Sequence, residues 1–373
     1  MGARIGEIAE ICAPLMAVSQ QGDDAGTTAF MTAFVAMGDR LAGLAADDLA
    51  AGHDLSAGTK LLRAATYYLT GERMQPAGSP ARKTLYAQVQ QAFRDGLRLT
   101  GDPAQRIESP YQSGLIPGLL VPGHGLHHHS GPHPLIVLIN GLDSTKEMLL
   151  RVGLPATLAR RGVAVLVIDQ PGTGEALRLY GLTAVPEAET WASTVYDHAA
   201  RLPGIDPTRI GLHGVSLGGY YAPRAVAFDP RFALGAVWGA VWGANHDRGQ
   251  VQLARAARDG DRPVPHYWDH VQWVFGQPDF DSFMQLAKRM TLNGVLDRIK
   301  VPFLVTHGEK DRQIPLKYAH QTYDQLVNSP ARTLKIFTDR EGGVQHSSVD
   351  NSADAMDYQA DWIADTFAAM VRR

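Results

Sequence analysis

The sequence predicts an α/β protein: a mostly parallel sheet flanked by helices and preceded by an all-helical region. Three observations predict it. After about residue 105, short apolar runs alternate with helix-length segments. Before it, Ala is frequent and apolar residues recur every three to four positions. Gly and Pro are abundant, 38 and 22 of 373 residues, and supply the many turns that such an alternation needs.

Residues 1–105 form the predicted helical domain. In TTAFMTAFVAMGDRLAGLA (27–45), Phe30, Phe34, Met37 and Leu41 share one helix face. AGTKLLRAATYYLTGE (57–72) reads as a second helix. A third begins near Ser79-Pro80, where Pro suits the first turn, and Gly101-Asp102-Pro103 stops it. No catalytic motif lies in this region. Residues 106–373 form the predicted second domain. PYQSGLIPGLLVPG (110–123) reads as one strand of a hairpin. LIVLIN (135–140), VAVLVID (163–169), RIGLHGV (209–215), ALGAVWGA (233–240), PFLVTHG (302–308) and TLKIFTD (333–339) read as further strands, and their apolar character implies a sheet covered on both faces.

Composition excludes several classes of partner. There are 35 Lys+Arg against 38 Asp+Glu, a net charge of −3, which gives no reason to expect nucleic acid or an anionic membrane. The single cysteine, Cys12, allows neither an intramolecular disulfide nor a thiolate zinc cage. The N-terminal stretch carries Glu7 and Glu10 among its apolar residues, unlike a signal peptide. No run of about 18 apolar residues is present, so no spanning helix and a cytoplasmic location are expected. His124, His127, His128, His129 and His133 crowd one loop and suit adventitious nickel or zinc. No carboxylate or Cys joins them there, so the loop reads as a hairpin connection and no functional metal is expected.

The sharpest feature is Gly214-Val215-Ser216-Leu217-Gly218-Gly219, which follows the strand IGLHGV and precedes the helical segment YYAPRAVAF. A G-x-S-x-G placed between strand and helix is a tight turn that lifts a serine to the sheet edge. The helix after it aims N–H groups and a dipole at developing negative charge. Such a serine needs a base and an orienting acid. His346 follows the last strand and is the expected base; His307, inside its strand, and His320, in the next helix, read as structural. Asp311 is the expected acid, with Glu309 the runner-up closer to the strand end. Backbone N–H groups of Leu142 and Leu217, with Gly141 beside them, are expected to bind the oxyanion. Asp169, in Asp169-Gln-Pro-Gly-Thr-Gly174-Glu175, reads as part of a structural turn.

NGLDSTKE, DQPGTGE, GVSLGG and HGEKD, with RAATYYLTGE in the helical region, together resemble the branch of α/β hydrolases that includes 2,6-dihydroxypseudooxynicotine hydrolase and the FrsA-like esterases. The likeness covers nearly the whole chain. It implies that the helical domain caps the site and that the protein forms a homodimer. The serine chemistry itself leads to a small carbonyl compound as substrate and calls for no cofactor. Some members cleave a carbon–carbon bond between a carbonyl and an aromatic ring or a β-diketone carbon; others hydrolyse esters. In the carbon–carbon group an extra carboxylate assists proton transfer after the strand that follows the elbow. Asp247 stands about there, as Asp where Glu is expected, with His246 able to substitute and an ion pair to Arg248 as the plain alternative. The insertion at about 248–298 carries Tyr267, Trp268, Trp273, Phe275, Phe280 and Phe283, suited to lining a pocket and to docking the helical domain. The sequence thus leads to a carbon–carbon bond hydrolase, with a carboxylesterase as the alternative. A silent binding protein on the same fold comes third, and the complete set of three catalytic groups argues against it.

Overall fold

The computed structural model describes residues 2–20, 28–125, 131–243 and 266–371. The chain divides into two units, Met1–Ala104 with Asp259–Trp273, and Gln105–Arg258 with Val274–Arg373.

The first unit holds α1 (Ile5–Gln20), α2 (Thr28–Ala50), α3 (Asp54–Arg73) and α4 (Pro80–Thr100). Both α2 and α4 pack along α3. The predicted stripe of α2 is the face that packs: Phe34, Met37 and Leu41 are buried, and Phe30 packs tilted against Phe34 at 4.5 Å between ring centres. α2 is also the one described helix with the length and hydropathy of a membrane span, by length and composition only. Helix α4 starts with Pro80 at its first turn. It ends at Gly101, whose φ of 66° lets the N–H groups of Gly101 and Asp102 return to Arg98 and Leu97. Glycine reaches that left-handed region without strain, which is why the helix stops there. The Arg82 guanidinium is buried between the Glu72 carboxylate (2.8 Å) and the ring of Trp273 (4.6 Å).

The second unit is built on one eight-stranded sheet in the order β1-β2-β4-β3-β5-β6-β7-β8. The strands are β1 (Gln105–Tyr111), β2 (Gly114–Val121), β3 (His133–Ile139), β4 (Ala164–Ile168), β5 (Ile205–Val215), β6 (Leu234–Trp238), β7 (Phe303–Gly308) and β8 (Arg332–Phe337). β1, β2 and β4 pair antiparallel, and every pairing from β4 to β8 is parallel. The stretch 110–123 is not one strand. It contains the hairpin turn itself, with Gln112 at φ 50°, so Pro110 and Tyr111 belong to β1 and Gly114 opens β2. The turn escapes notice because no Gly-Asn or Pro-Gly pair marks it. The helices of this unit are α5 (Lys146–Val152), α6 (Leu154–Ala159), α7 (Gly174–Tyr180), α8 (Glu189–Ala199), α9 (Gly218–Phe228), α11 (Phe280–Ala287), α12 (Lys317–Gln325) and α13 (Ala353–Val371). α10 (Tyr267–Val274) runs from the first unit into it. Past α10 the aromatic insertion packs within the second unit, where Phe275 and Phe283 are buried 5.2 Å apart.

The strand order places the site. From β3 the chain steps one way to β4 and then the other way to β5. The loops after β3 and β5 therefore diverge at the carboxyl edge and leave a crevice between them, the usual ligand position in open α/β sheets.

One buried histidine lies on β5. His213 bonds Gln359 Oε1 of α13 through Nε2 at 2.7 Å, its Nδ1 has no partner, and burial pushes its pKa down to about 4. The unfolded chain, with an ordinary value of 6.5, binds the extra proton first. Stability is therefore full above that value and falls as pH drops toward 4, by up to about 1.4 kcal/mol per unit from this group. Urea unfolding at about pH 7 and pH 5 is expected to show this loss, and His213→Leu is expected to flatten it. An equal slope in both proteins would assign the acid sensitivity to other groups.

Candidate active site

β5 ends at Val215 and α9 begins at Gly218, so Ser216 and Leu217 make the whole turn. Ser216 sits at φ 55°, a conformation costing a non-glycine residue about 1–3 kcal/mol. The surroundings hold it there. Its N–H donates to Trp238 O at the end of β6 (2.9 Å), and its carbonyl accepts from Gly219 N–H (2.6 Å). The flanking glycines are steric requirements. A Cβ on Gly214 would lie 2.0 Å from Gly218 O, and one on Gly219 would lie 2.2 Å from Gly239 O.

The three predicted groups meet. His346 Nε2 is 2.7 Å from Ser216 Oγ, and His346 Nδ1 is 2.7 Å from Asp311 Oδ2. With Nδ1–H donating to the carboxylate, the Nε2 lone pair faces the serine hydroxyl, the tautomer a general base needs. The other Asp311 oxygen accepts the N–H groups of Gln313 and Ile314, both at 2.8 Å. Burial alone would raise the Asp311 pKa. The bond to His346, the charge of His346 and the Ile314 N–H outweigh it and hold the carboxyl below its ordinary value. Glu309 does not reach the histidine: its N–H extends the β7–β8 ladder to Phe337 O, and its side chain is exposed.

His307 is wholly buried behind the acid. Its Nδ1 accepts from Ala240 N–H (3.2 Å) and its Nε2–H donates to Ile314 O (2.9 Å), while burial lowers its pKa. It is a neutral spacer between β6, β7 and the Asp311 loop. His320 is exposed on α12. Trp238 holds two parts of the site together. Its carbonyl takes the Ser216 N–H, and its indole N–H donates to Ser348 Oγ in the His346 loop (3.1 Å). A strand-end tryptophan carries no sequence signal for this.

The loop after β3 lies against the serine. A Cβ on Gly141 would be 3.0 Å from Ser216 Cβ and 3.4 Å from its Oγ, so glycine lets the loop approach the serine this closely. The Gly141 N–H itself donates to Ser144 Oγ (2.8 Å), which takes it out of the expected set of oxyanion donors. Leu142 follows it in the loop, and Leu217 stands at the head of α9, the two positions expected to present N–H groups. Asp169 is buried at the end of β4 and binds the start of this loop through Asn140 Nδ2 (3.2 Å). Asp247 and His246 lie outside the described residues, as do His127, His128 and His129. Among the described residues, the one group of carboxylates close enough to share a metal is Glu147, Asp169 and Glu175, and the Lys146 ammonium bonds all three.

Residues 136–356 match the Alpha/beta hydrolase family. Hydrolase acrC of Aspergillus aculeatus is 32% identical over 369 residues, covering 88% of this chain and 86% of that protein. The 2,6-dihydropseudooxynicotine hydrolase of Paenarthrobacter nicotinovorans is 27% identical over 327 residues, 86% of this chain and 80% of its own. The crystal structure of the 2,6-dihydroxy-pseudo-oxynicotine hydrolase superposes with a TM-score of 0.78 at 23% identity, covering 99% of this chain and 94% of that one. The chain belongs to the alpha/beta hydrolase family, in the branch that holds 2,6-dihydroxypseudooxynicotine hydrolase.

Proposed function

We propose that the protein is a serine hydrolase that cleaves a carbon–carbon bond next to a carbonyl, in an aryl ketone or β-diketone type of substrate, through an acyl-enzyme. The observation that carries this is the unbroken relay from Ser216 Oγ through His346 to Asp311, with both links at 2.7 Å. Ser216 Oγ attacks the carbonyl carbon and its proton passes to His346 Nε2. The oxyanion takes N–H groups from Leu142 and Leu217, while Asp311 holds the imidazolium. Collapse of the tetrahedral adduct breaks the carbon–carbon bond, and the electron pair leaves on carbon, where it must be protonated. His346 returns its proton, and Asp247, by its place in the sequence after β6, is the acid that assists. Water activated by His346 then releases the carboxylic acid. The named pseudooxynicotine hydrolase among the relatives supports carbon–carbon over ester cleavage.

An ester leaves as an alkoxide or phenoxide and needs no second acid, which gives the test. The wild type is expected to convert aryl β-diketones to a carboxylic acid and a ketone, read by mass spectrometry. Asp247→Asn is expected to lower that rate about 100-fold or more and to spare p-nitrophenyl ester hydrolysis. Turnover of esters alone would make the protein a carboxylesterase, and equal loss on both substrates would remove the special role of Asp247.

A further inference from the structure

The loop at 140–145 faces Ser216 on one side and rests on a buried ionic cluster on the other. Asp169 is fully buried at the carboxyl end of β4 and accepts four hydrogen bonds. They come from Asn140 Nδ2 (3.2 Å), the Lys146 N–H (2.7 Å), Lys146 Nζ (3.0 Å) and the Glu175 N–H (2.9 Å). The Lys146 ammonium also lies 2.5 Å from Glu147 and 2.8 Å from Glu175. Arg106 of β1 grips Glu175 from the rim with two bonds, 2.6 and 2.9 Å. Next to Asp169, Gln170 exchanges a pair of bonds with the Asn140 backbone, both 2.9 Å. Both ends of the loop are thus tied to the two residues that follow β4, and the stretch between them is the one apposed to the serine.

Three carboxylate ligand atoms within 4.8 Å of one another form the kind of group that holds a divalent cation. Here an ammonium on the chain itself stands among them. Burying such a cluster adds little net stability over an apolar core of the same volume, because desolvation offsets the attraction. What it does supply is fixed geometry: charge-assisted bonds of this length leave the loop ends one arrangement. An oxyanion donor acts only if it is already aimed when the charge develops.

We infer that Lys146 and Asp169 are positioning residues, whose ionic clamp fixes the 140–145 loop so that its donor at Leu142 meets the oxyanion and lowers the barrier to reaction without tightening substrate binding. The inference rests on the acyl-enzyme reading above. It also separates Asp169 from an ordinary turn residue: the turn after β4 and the loop after β3 form one unit, held by one carboxylate.

Two variants test it. Lys146→Met removes the ammonium with little change in length. Lys146→Met/Glu147→Gln removes one charge of each sign and so keeps the balance of the buried cluster. Each is measured for kcat per active site titrated with a fluorophosphonate, for KM, for melting temperature, and for inhibition by a trifluoromethyl ketone, whose serine adduct carries the same oxyanion. Both variants are expected to lose about 10- to 100-fold in kcat per titrated site. KM should stay within about threefold, the split that marks an interaction made only in the transition state. The ketone should weaken by the same factor as kcat. A folded paired variant with unchanged kcat per titrated site and unchanged ketone affinity, even with a lower melting temperature, would overturn the inference. Failure of the fluorophosphonate to label the wild type would instead overturn the acyl-enzyme reading, and this clamp with it.

Discussion

Ser216→Ala is expected to abolish turnover, with kcat falling about 10,000- to 1,000,000-fold while the protein stays folded. The size of the loss follows from the geometry. Oγ is the one atom of the elbow aimed at His346 Nε2, and His307, the other buried histidine nearby, is engaged at both ring nitrogens. The two serines that follow His346 are bonded elsewhere: Ser347 Oγ donates to Trp238 O and Ser348 Oγ accepts from the Trp238 indole. The fold should survive because alanine keeps the backbone at φ 55° with the same N–H bond to Trp238 O. A fluorophosphonate should label the wild type and leave the variant unlabelled, with equal circular dichroism spectra. Labelling of both proteins would remove Ser216 as the nucleophile. Because the proposed attack precedes either bond cleavage, the loss should be equal on ester and β-diketone substrates.

The parts of this site that are local in sequence are legible there, and the parts made by tertiary contact are not. Strand, Gly214-Val215-Ser216-Leu217-Gly218 and helix are contiguous, so the strained turn leaves a pattern of small residues around one serine. His346 is legible by elimination, since it is the histidine beyond the last strand. The acid is only half legible. Glu309 and Asp311 lie two residues apart after β7, and what separates them is that Glu309 still belongs to the ladder while Asp311 begins the turn closed by the Ile314 N–H. The ionic clamp joins Arg106, Asn140, Lys146, Asp169 and Glu175, drawn from a span of 69 residues. In the sequence only the turn from Asp169 to Glu175 is singled out, as structural, and nothing there links it to Arg106 or Lys146. Buried charge is invisible to a hydropathy pattern that expects polar residues outside. Trp238 escapes for the opposite reason, because an apolar residue ending a buried strand already has a sufficient explanation in the core.

The acid itself can be tested with a single-atom change. In Asp311→Asn the side chain has one oxygen left to place. Two backbone N–H groups, of Gln313 and Ile314, point at the Oδ1 position from 2.8 Å and require an acceptor there. The amide oxygen is held by them, so the NH2 group turns toward His346 Nδ1. A donor facing Nδ1 forces the imidazole proton onto Nε2, where it points at Ser216 Oγ and blocks the base. The imidazolium formed during attack also loses its counter-charge. The expected result is a fall in kcat of about 10,000-fold, the size seen when this exchange produces the wrong tautomer in a serine protease. KM should change little, since nothing in the Asp311 turn is assigned to substrate binding. Glu309→Gln, with the side chain exposed and no contact to His346, is expected to leave kcat within about twofold, as surface changes away from such features do. The same steady-state assay on the two variants therefore decides between the carboxylates. If Asp311→Asn kept a tenth or more of the wild-type kcat, the relay described above would not be the one that works. A large loss in Glu309→Gln would move the acid to the strand end.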